Sequence, residues 1–254
     1  MVITWNVTVP ELTGDAPRKA YLYLPESYDR EPDKRYPVLY MFDGHNVFFD
    51  SDATYGKSWG MKEYMDYTGT QLLIAAVECN HSPDNGRLRE YSPFPFDDPK
   101  LGHFPGLGRK TMEWMIGSFK KDIDSRFRTL ADRENTFIGG SSMGGLMSLY
   151  AVLEFNKVFS RAATLSPSIW VAPEKLERLA RRASLGPDTV VYMDYGSEEM
   201  RGRAGMLRGF GRMAALLVER RVRVTSRMVP GGQHCEASWE RQIPFFMNTL
   251  LYRQ

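Results

Sequence analysis

The sequence predicts a single α/β domain: a mostly parallel sheet with helices on both faces and antiparallel strands at its N-terminal end. Three observations carry this expectation. Short, continuous apolar runs recur along the chain, and stretches with three-and-four apolar spacing lie between them. Strands alternating with helices in this way are joined as parallel neighbours through crossover connections. Of the 254 residues, 43% are hydrophobic and 13% aromatic, enough to fill one large core. No linker or internal repeat divides the chain, so residues 1–254 are expected to form one unit.

The elements follow in order. Residues 4–9 and 19–24 alternate like paired edge strands, closed by Pro10 and Pro25. YPVLYMF (36–42) and QLLIAAVE (71–78) are apolar throughout, as in strands buried on both faces. Residues 135–139, 161–165, 189–195 and 222–229 repeat that pattern. Residues 111–127 place apolar side chains at 112, 115, 116, 119, 123 and 127, which predicts a helix. Residues 145–154, 173–183, 203–220 and 237–252 read the same way, with Pro173 suited to a first helical turn. Residues 80–110 break the alternation. They are rich in Pro, Gly and aromatics and show no period, the signature of a lid or a wall beside a site, or of a surface excursion.

Composition excludes several roles. Thirty-three basic and 31 acidic side chains leave a net charge of +2, which offers no electrostatic footprint for nucleic acid or an anionic membrane surface. No apolar stretch is long enough to span a bilayer. MVITWNVTVP is not a secretory leader, and the two cysteines, Cys79 and Cys235, lack metal-ligand spacing. Reduced thiols and a cytoplasmic location are the expectation.

The most informative stretch is IGGSSMGGLM (138–147). A nucleophile elbow needs small residues two before and two after its serine, because strand and helix pack closely across a strained turn. Ser142 has Gly140 and Gly144 at those positions, whereas Ser141 has Gly139 but Met143. A strand run precedes the motif and a helical pattern follows it. A glycine-rich turn without chemistry is the bland alternative. A phosphate loop is disfavoured because Leu146 stands where the lysine would be.

A serine nucleophile requires a base. After such an elbow the order is serine, acid, histidine, and of His45, His81, His103 and His234 only His234 follows Ser142. The acid is open among Asp194, Glu198 and Glu199 in YMDYGSEEM. Asp194 falls within a strand run and suits a structural role, while the two glutamates lie just past Gly196. The oxyanion of an acyl-transfer intermediate needs two backbone N–H donors. Met143 supplies one as the residue after the nucleophile. YMFDGHNVFFD (40–50) is the loop for the other, through the main-chain amide of His45 beside the bend at Gly44.

With these residues in place, the chain resembles the esterase D-like branch of the α/β hydrolases, a group that includes feruloyl and acetyl xylan esterases, S-formylglutathione hydrolases, mycolyltransferases and siderophore esterases. The resemblance spans nearly the whole sequence, through KAYLYLPESY, YPVLYMFDGHNVFFD, IGGSSMGG, LSPSIW, YMDYGSEE and GGQH. It implies Ser142 as nucleophile, His234 as base, the amides of His45 and Met143 as oxyanion donors, and Glu199 as the acid, where many relatives carry Asp. It makes Trp170 in LSPSIW a candidate for substrate contact, against a core role. RLREYSP (87–93) resembles a family signature of unassigned role.

The activity so implied is hydrolysis of a small or carbohydrate-linked ester through an acyl-enzyme, with no metal or cofactor. Acyl transfer to an alcohol shares the same intermediate, and a binding protein can keep the fold without the chemistry. Aromatic residues at 48, 49, 55, 59, 91, 94, 96 and 104 are candidates either for an apolar acyl pocket or for packing.

Overall fold

Hydrophobic periodicity accounts for the architecture. The computed structural model describes residues 1–252. Its ten strands are β1 (Val2–Val9), β2 (Gly14–Tyr23), β3 (Val38–Met41), β4 (Leu73–Val77), β5 (Phe96–Asp98), β6 (Gly102–Phe104), β7 (Thr136–Ser141), β8 (Arg161–Leu165), β9 (Val190–Gly196) and β10 (Arg223–Val229). Eight of them form one sheet in the order β1-β2-β4-β3-β7-β8-β9-β10, and β5 and β6 form a separate hairpin. β1–β2 and β2–β4 pair antiparallel; every other neighbouring pair of the large sheet is parallel.

Successive side chains of a strand face opposite sides of the sheet. Val38 and Tyr40 therefore enter one apolar layer, and Leu39 and Met41 the other. The helices Met143–Glu154, Pro173–Arg182 and Ala204–Glu219 cover the first face, together with the helical stretch 108–126. Met61–Thr68 and Ile243–Leu251 cover the second. This is the architecture of an α/β hydrolase, with antiparallel strands at one edge as expected.

The structure departs from the sequence reading where local pattern is weak. β2 begins at Gly14, because its first residues are exposed and show no apolar alternation. The expected helix at 237–252 is two helices, Glu236–Glu240 and Ile243–Leu251. Pro244 has no N–H and would clash with the carbonyl four residues back, so it sits in the first turn of a new helix. Met115–Phe119 form a π-type turn inside the helical stretch 108–126. The helix Met61–Thr68 was not anticipated: it buries only Met61 and Met65, and its markers are the left-handed glycines Gly60 and Gly69 at its ends. Residues 80–110 contain a short helix, Gly86–Glu90, and the β5–β6 hairpin.

Candidate active site

The parallel strands all run the same way, so their carboxyl ends bring five loops to one edge of the sheet, where open α/β sheets place their sites. Asp43–His45 follow β3, Ser142 follows β7, Ser166 follows β8, Glu199 follows β9 and His234 follows β10.

Ser142 occupies the turn between β7 and the helix Met143–Glu154, with φ 57° and ψ −120°. A side chain there carries backbone strain on the order of 1–3 kcal/mol, so the surroundings must hold it. They do so through the Ser142 N–H to the Leu165 carbonyl (2.9 Å) and the N–H groups of Leu146 and Ser168 to the Ser142 carbonyl (3.0 Å each). The glycines flanking it are required by contact. A Cβ on Gly140 would lie 2.9 Å from the Gly144 carbonyl carbon, and one on Gly144 would lie 3.0 Å from Phe42 Cβ. Ser141, by contrast, is an ordinary buried strand residue. Of the two adjacent serines, only Ser142 lines the cavity.

His234 stands on a glycine-rich loop that is pressed against the loop after β9. A Cβ on Gly196 would come within 2.2 Å of the Gly232 carbonyl oxygen. That close approach brings His234 Nδ1 to 2.6 Å from Glu199 Oε2. The Glu199 side chain is 3% exposed, and its other oxygen accepts from Ser166 Oγ (2.7 Å) and the Gly196 N–H (2.9 Å). Burial alone would raise the Glu199 carboxyl, but hydrogen bonds from His234, Ser166 and Gly196 bring it below the usual glutamate range. Trp239 donates its indole N–H to Ser166 Oγ (3.0 Å) and meets the His234 ring edge-on, with centroids 5.0 Å apart.

The other two carboxylates have other partners. Glu198 is exposed, lines the same cavity as Glu199 and pairs with Arg201. Asp194 is buried, accepts from Tyr192 Oη (2.7 Å) and the Ser166 N–H (3.2 Å), and is pushed up to about 6 by burial. Its structural role matches the strand position read from the sequence. Ser166 and its neighbour Ser168 lie within the quoted LSPSIW segment, yet sequence reasoning missed them, because no periodicity or motif marks a serine as a carboxylate donor.

Ser142, Ser166, Ser168, Trp170, Tyr195, Glu199 and His234 line one cavity of about 540 Å³, together with Glu198, Arg203, Met206 and Gln233. Among the described residues, Ser142 Oγ has Ser168 Oγ as its hydrogen-bond partner, at 3.5 Å. Trp170 is 48% exposed, so it is not a core aromatic. Residues 80–110 contribute no lining to this cavity. They reach the site from behind: Phe96 meets the Trp170 ring edge-on, and Arg87 holds Asp43. Of the aromatics weighed as an acyl pocket, Phe48, Trp59, Tyr91, Phe96 and Phe104 are buried packing residues, and Tyr55 is exposed.

Asp43 adopts the left-handed region (φ 55°), and Gly44 packs against Val77 so closely that a Cβ would lie 2.8 Å from the Val77 nitrogen. Arg87 binds both Asp43 oxygens at 2.7 Å, and Tyr91 Oη accepts from the Asp43 N–H (3.3 Å). The RLREYSP segment therefore acts as a clamp on the loop that carries His45. Burial would raise the Asp43 carboxyl, and the Arg87 charge outweighs it, leaving the group below its ordinary value. Arg87→Ala would leave that buried charge without a counterion, and we expect a loss of about 3 kcal/mol in urea unfolding. An effect under about 0.5 kcal/mol, as for a surface substitution, would mean that the clamp does not hold the loop.

Among the described residues, neither the His45 nor the Met143 amide donates to a protein acceptor. The two segments are neighbours, since the Gly144 backbone packs on Phe42 and the Asp43 carboxylate.

A family model described as Putative esterase matches residues 13–246. The chain belongs to this esterase family. In sequence it is similar to the uncharacterized protein YbbA of Bacillus subtilis, 27% identical over 194 residues, covering 75% of this chain and 72% of that protein. In structure it is similar to an IroE-like serine hydrolase from Shewanella oneidensis, with TM-score 0.75, 16% identity and coverage of 98% of this chain and 79% of that one. It is also similar to the siderophore hydrolase EstA from Aspergillus nidulans, with TM-score 0.71, 18% identity and coverage of 97% and 94%. Family membership and fold agree with the resemblance carried by the motifs. No helix among the described residues is long and apolar enough to cross a membrane.

Proposed function

We propose that this esterase-family protein is a serine carboxylic-ester hydrolase that works through an acyl-enzyme. The observation that carries the reading is the Glu199–His234 pair sharing a cavity with the strained Ser142 turn. With Nδ1 committed to Glu199, the imidazole keeps Nε2 for the serine. The Ser142–His234 hydrogen bond forms as substrate enters, since such contacts are often long in the free enzyme.

Ser142 Oγ attacks the ester carbonyl while His234 takes its proton. The amides of His45 and Met143 receive the oxyanion, and His234 returns the proton to the departing alcohol. Water then attacks the acyl-enzyme, losing a proton to His234, which passes it to Ser142 Oγ as the acid is released. Glu199 orients the ring and stabilises its protonated form, without itself taking the proton. No step calls on a metal or cofactor. Trp170 forms an exposed aromatic wall for the substrate, and residues 80–110 support that wall and the His45 loop. A small or carbohydrate-linked ester fits the mixed polar and aromatic lining of the cavity.

Labelling with a fluorophosphonate, followed by peptide mapping, tests the reading. An adduct on Ser142 is expected, and folded protein that forms none rejects it. The contact between the two glycine loops gives a second test. Gly196→Ala must push the His234 loop away from Glu199, and a displacement near 1 Å is expected to lower kcat about 10²-fold. Unchanged turnover would show that loop contact does not position the base.

A further inference from the structure

At the carboxyl end of β4, beside the His45 loop, Cys79 and His81 meet the ring of His45. One ligating atom from each of the three lies within 4.8 Å of the others. Cys79 Sγ is 3.9 Å from His81 Nδ1 and 4.0 Å from Nε2, and the two imidazoles meet edge-on with centroids 4.7 Å apart. With metal–sulfur bonds of about 2.3 Å and metal–nitrogen bonds of about 2.0–2.1 Å, trigonal or tetrahedral geometry separates sulfur from nitrogen by about 3.6–3.8 Å. The Cys79–His81 pair stands a few tenths of an ångström from that spacing.

A second, independent feature points the same way. His45 is 4% exposed; its Nε2 meets Thr54 Oγ1 at 3.1 Å, but Nδ1 is buried with no hydrogen-bond partner. An unpaired buried polar atom costs free energy and calls for an explanation. In the neutral tautomer that donates its Nε2–H to Thr54, Nδ1 carries a free lone pair. His81 is exposed, and Cys79 and His81 line a cavity of about 510 Å³ that is separate from the Ser142 cavity, so an ion can reach the cluster from solvent.

We propose that His45, Cys79 and His81 bind a thiophilic transition-metal ion of the Zn²⁺ or Cu⁺ class, and that its binding suppresses ester cleavage. One thiolate and two imidazoles suit such ions and not Mg²⁺ or Ca²⁺. Binding replaces the Cys79 S–H bond with a sulfur–metal bond; the proton leaves to solvent, and no oxidation state changes. Inhibition rests on the esterase reading, in which the His45 amide receives the oxyanion. A metal on the His45 ring ties that residue to Cys79 and His81 at the end of β4, and with Gly44 already packed on Val77 the amide can no longer adjust to the reacting oxygen.

Titration of the purified protein with Co²⁺ tests binding without reference to activity. One equivalent is expected to give a thiolate-to-cobalt charge-transfer band that Zn²⁺ removes by displacement and Mg²⁺ does not. The band should vanish in Cys79→Ser and persist in Cys235→Ser, the variant of the only other thiol. His81→Ala, at an exposed position, should weaken Zn²⁺ affinity about 10-fold or more without disturbing the core. Absence of the band, or a band that survives Cys79→Ser, overturns the site. Turnover of each variant with and without Zn²⁺ is then compared as a ratio. Full turnover with Zn²⁺ bound overturns the inhibition. A protein that binds Co²⁺ through Cys79 but cleaves no ester without metal keeps the site and removes the inhibition together with the esterase reading.

Discussion

Ser142→Ala is expected to lower kcat on an activated ester on the order of 10⁶-fold, with unfolding behaviour close to that of the parent protein. The loss is large because serine and base act as a unit, so removing the nucleophile leaves only binding and oxyanion stabilisation. Stability changes little because the substitution keeps Cβ and the three backbone hydrogen bonds of the turn, and removes only the long Ser142 Oγ–Ser168 Oγ contact of 3.5 Å. Ser141→Ala is the matched control: it lies one residue away, on β7, and does not line the cavity. Near-parental turnover in Ser142→Ala, or a comparable loss in Ser141→Ala, would remove Ser142 from the mechanism.

Glu199→Gln carries the second large effect, a fall in kcat of about 10⁴-fold, because an amide cannot hold the imidazole in the required tautomer and orientation. Glu198→Gln, which changes an exposed residue of the same cavity whose partner is Arg201 and not His234, should change turnover far less. A larger loss in Glu198→Gln than in Glu199→Gln would reverse the assignment. The same substitution has a pH signature in stability. The folded Glu199 carboxyl lies below its ordinary value of 4.5, because the hydrogen bonds from His234, Ser166 and Gly196 outweigh burial. A depressed carboxyl contributes stability that is full above the unfolded value and is lost as pH falls through the folded one. Denaturation followed downward from pH 5 should therefore show a shallower loss of stability in Glu199→Gln than in the parent. Identical acid slopes would mean that the carboxylate is not held in its charged form by the fold.

Much of the architecture was legible in the sequence because its signals are local. Runs such as 161–165, bounded by helical periodicity, specify a strand buried on both faces, and that run became β8 residue for residue. The GxSxG spacing around Ser142 is legible for a related reason: two glycines are needed where a strand and the next helix touch, and both requirements lie within five residues. Element ends were less legible. The start of β2 is exposed and carries no alternation, and the break before Ile243 depends on a proline that a helix tolerates only in its first turn.

What the sequence determined by itself was therefore the parallel sheet, the serine at its turn and the histidine that follows it, each set by neighbours in the chain or by order along it. Spacing left three carboxylates open and the resemblance pointed to Glu199; tertiary structure brings that one against His234, because Gly196 meets Gly232 across two strands. It also decided that RLREYSP clamps Asp43, that Ser166 links Trp239 to Glu199, and that His45, Cys79 and His81 converge. Those contacts join residues tens of positions apart, where side-chain periodicity carries no information and only the packing of loops at the carboxyl ends of the strands sets the distance.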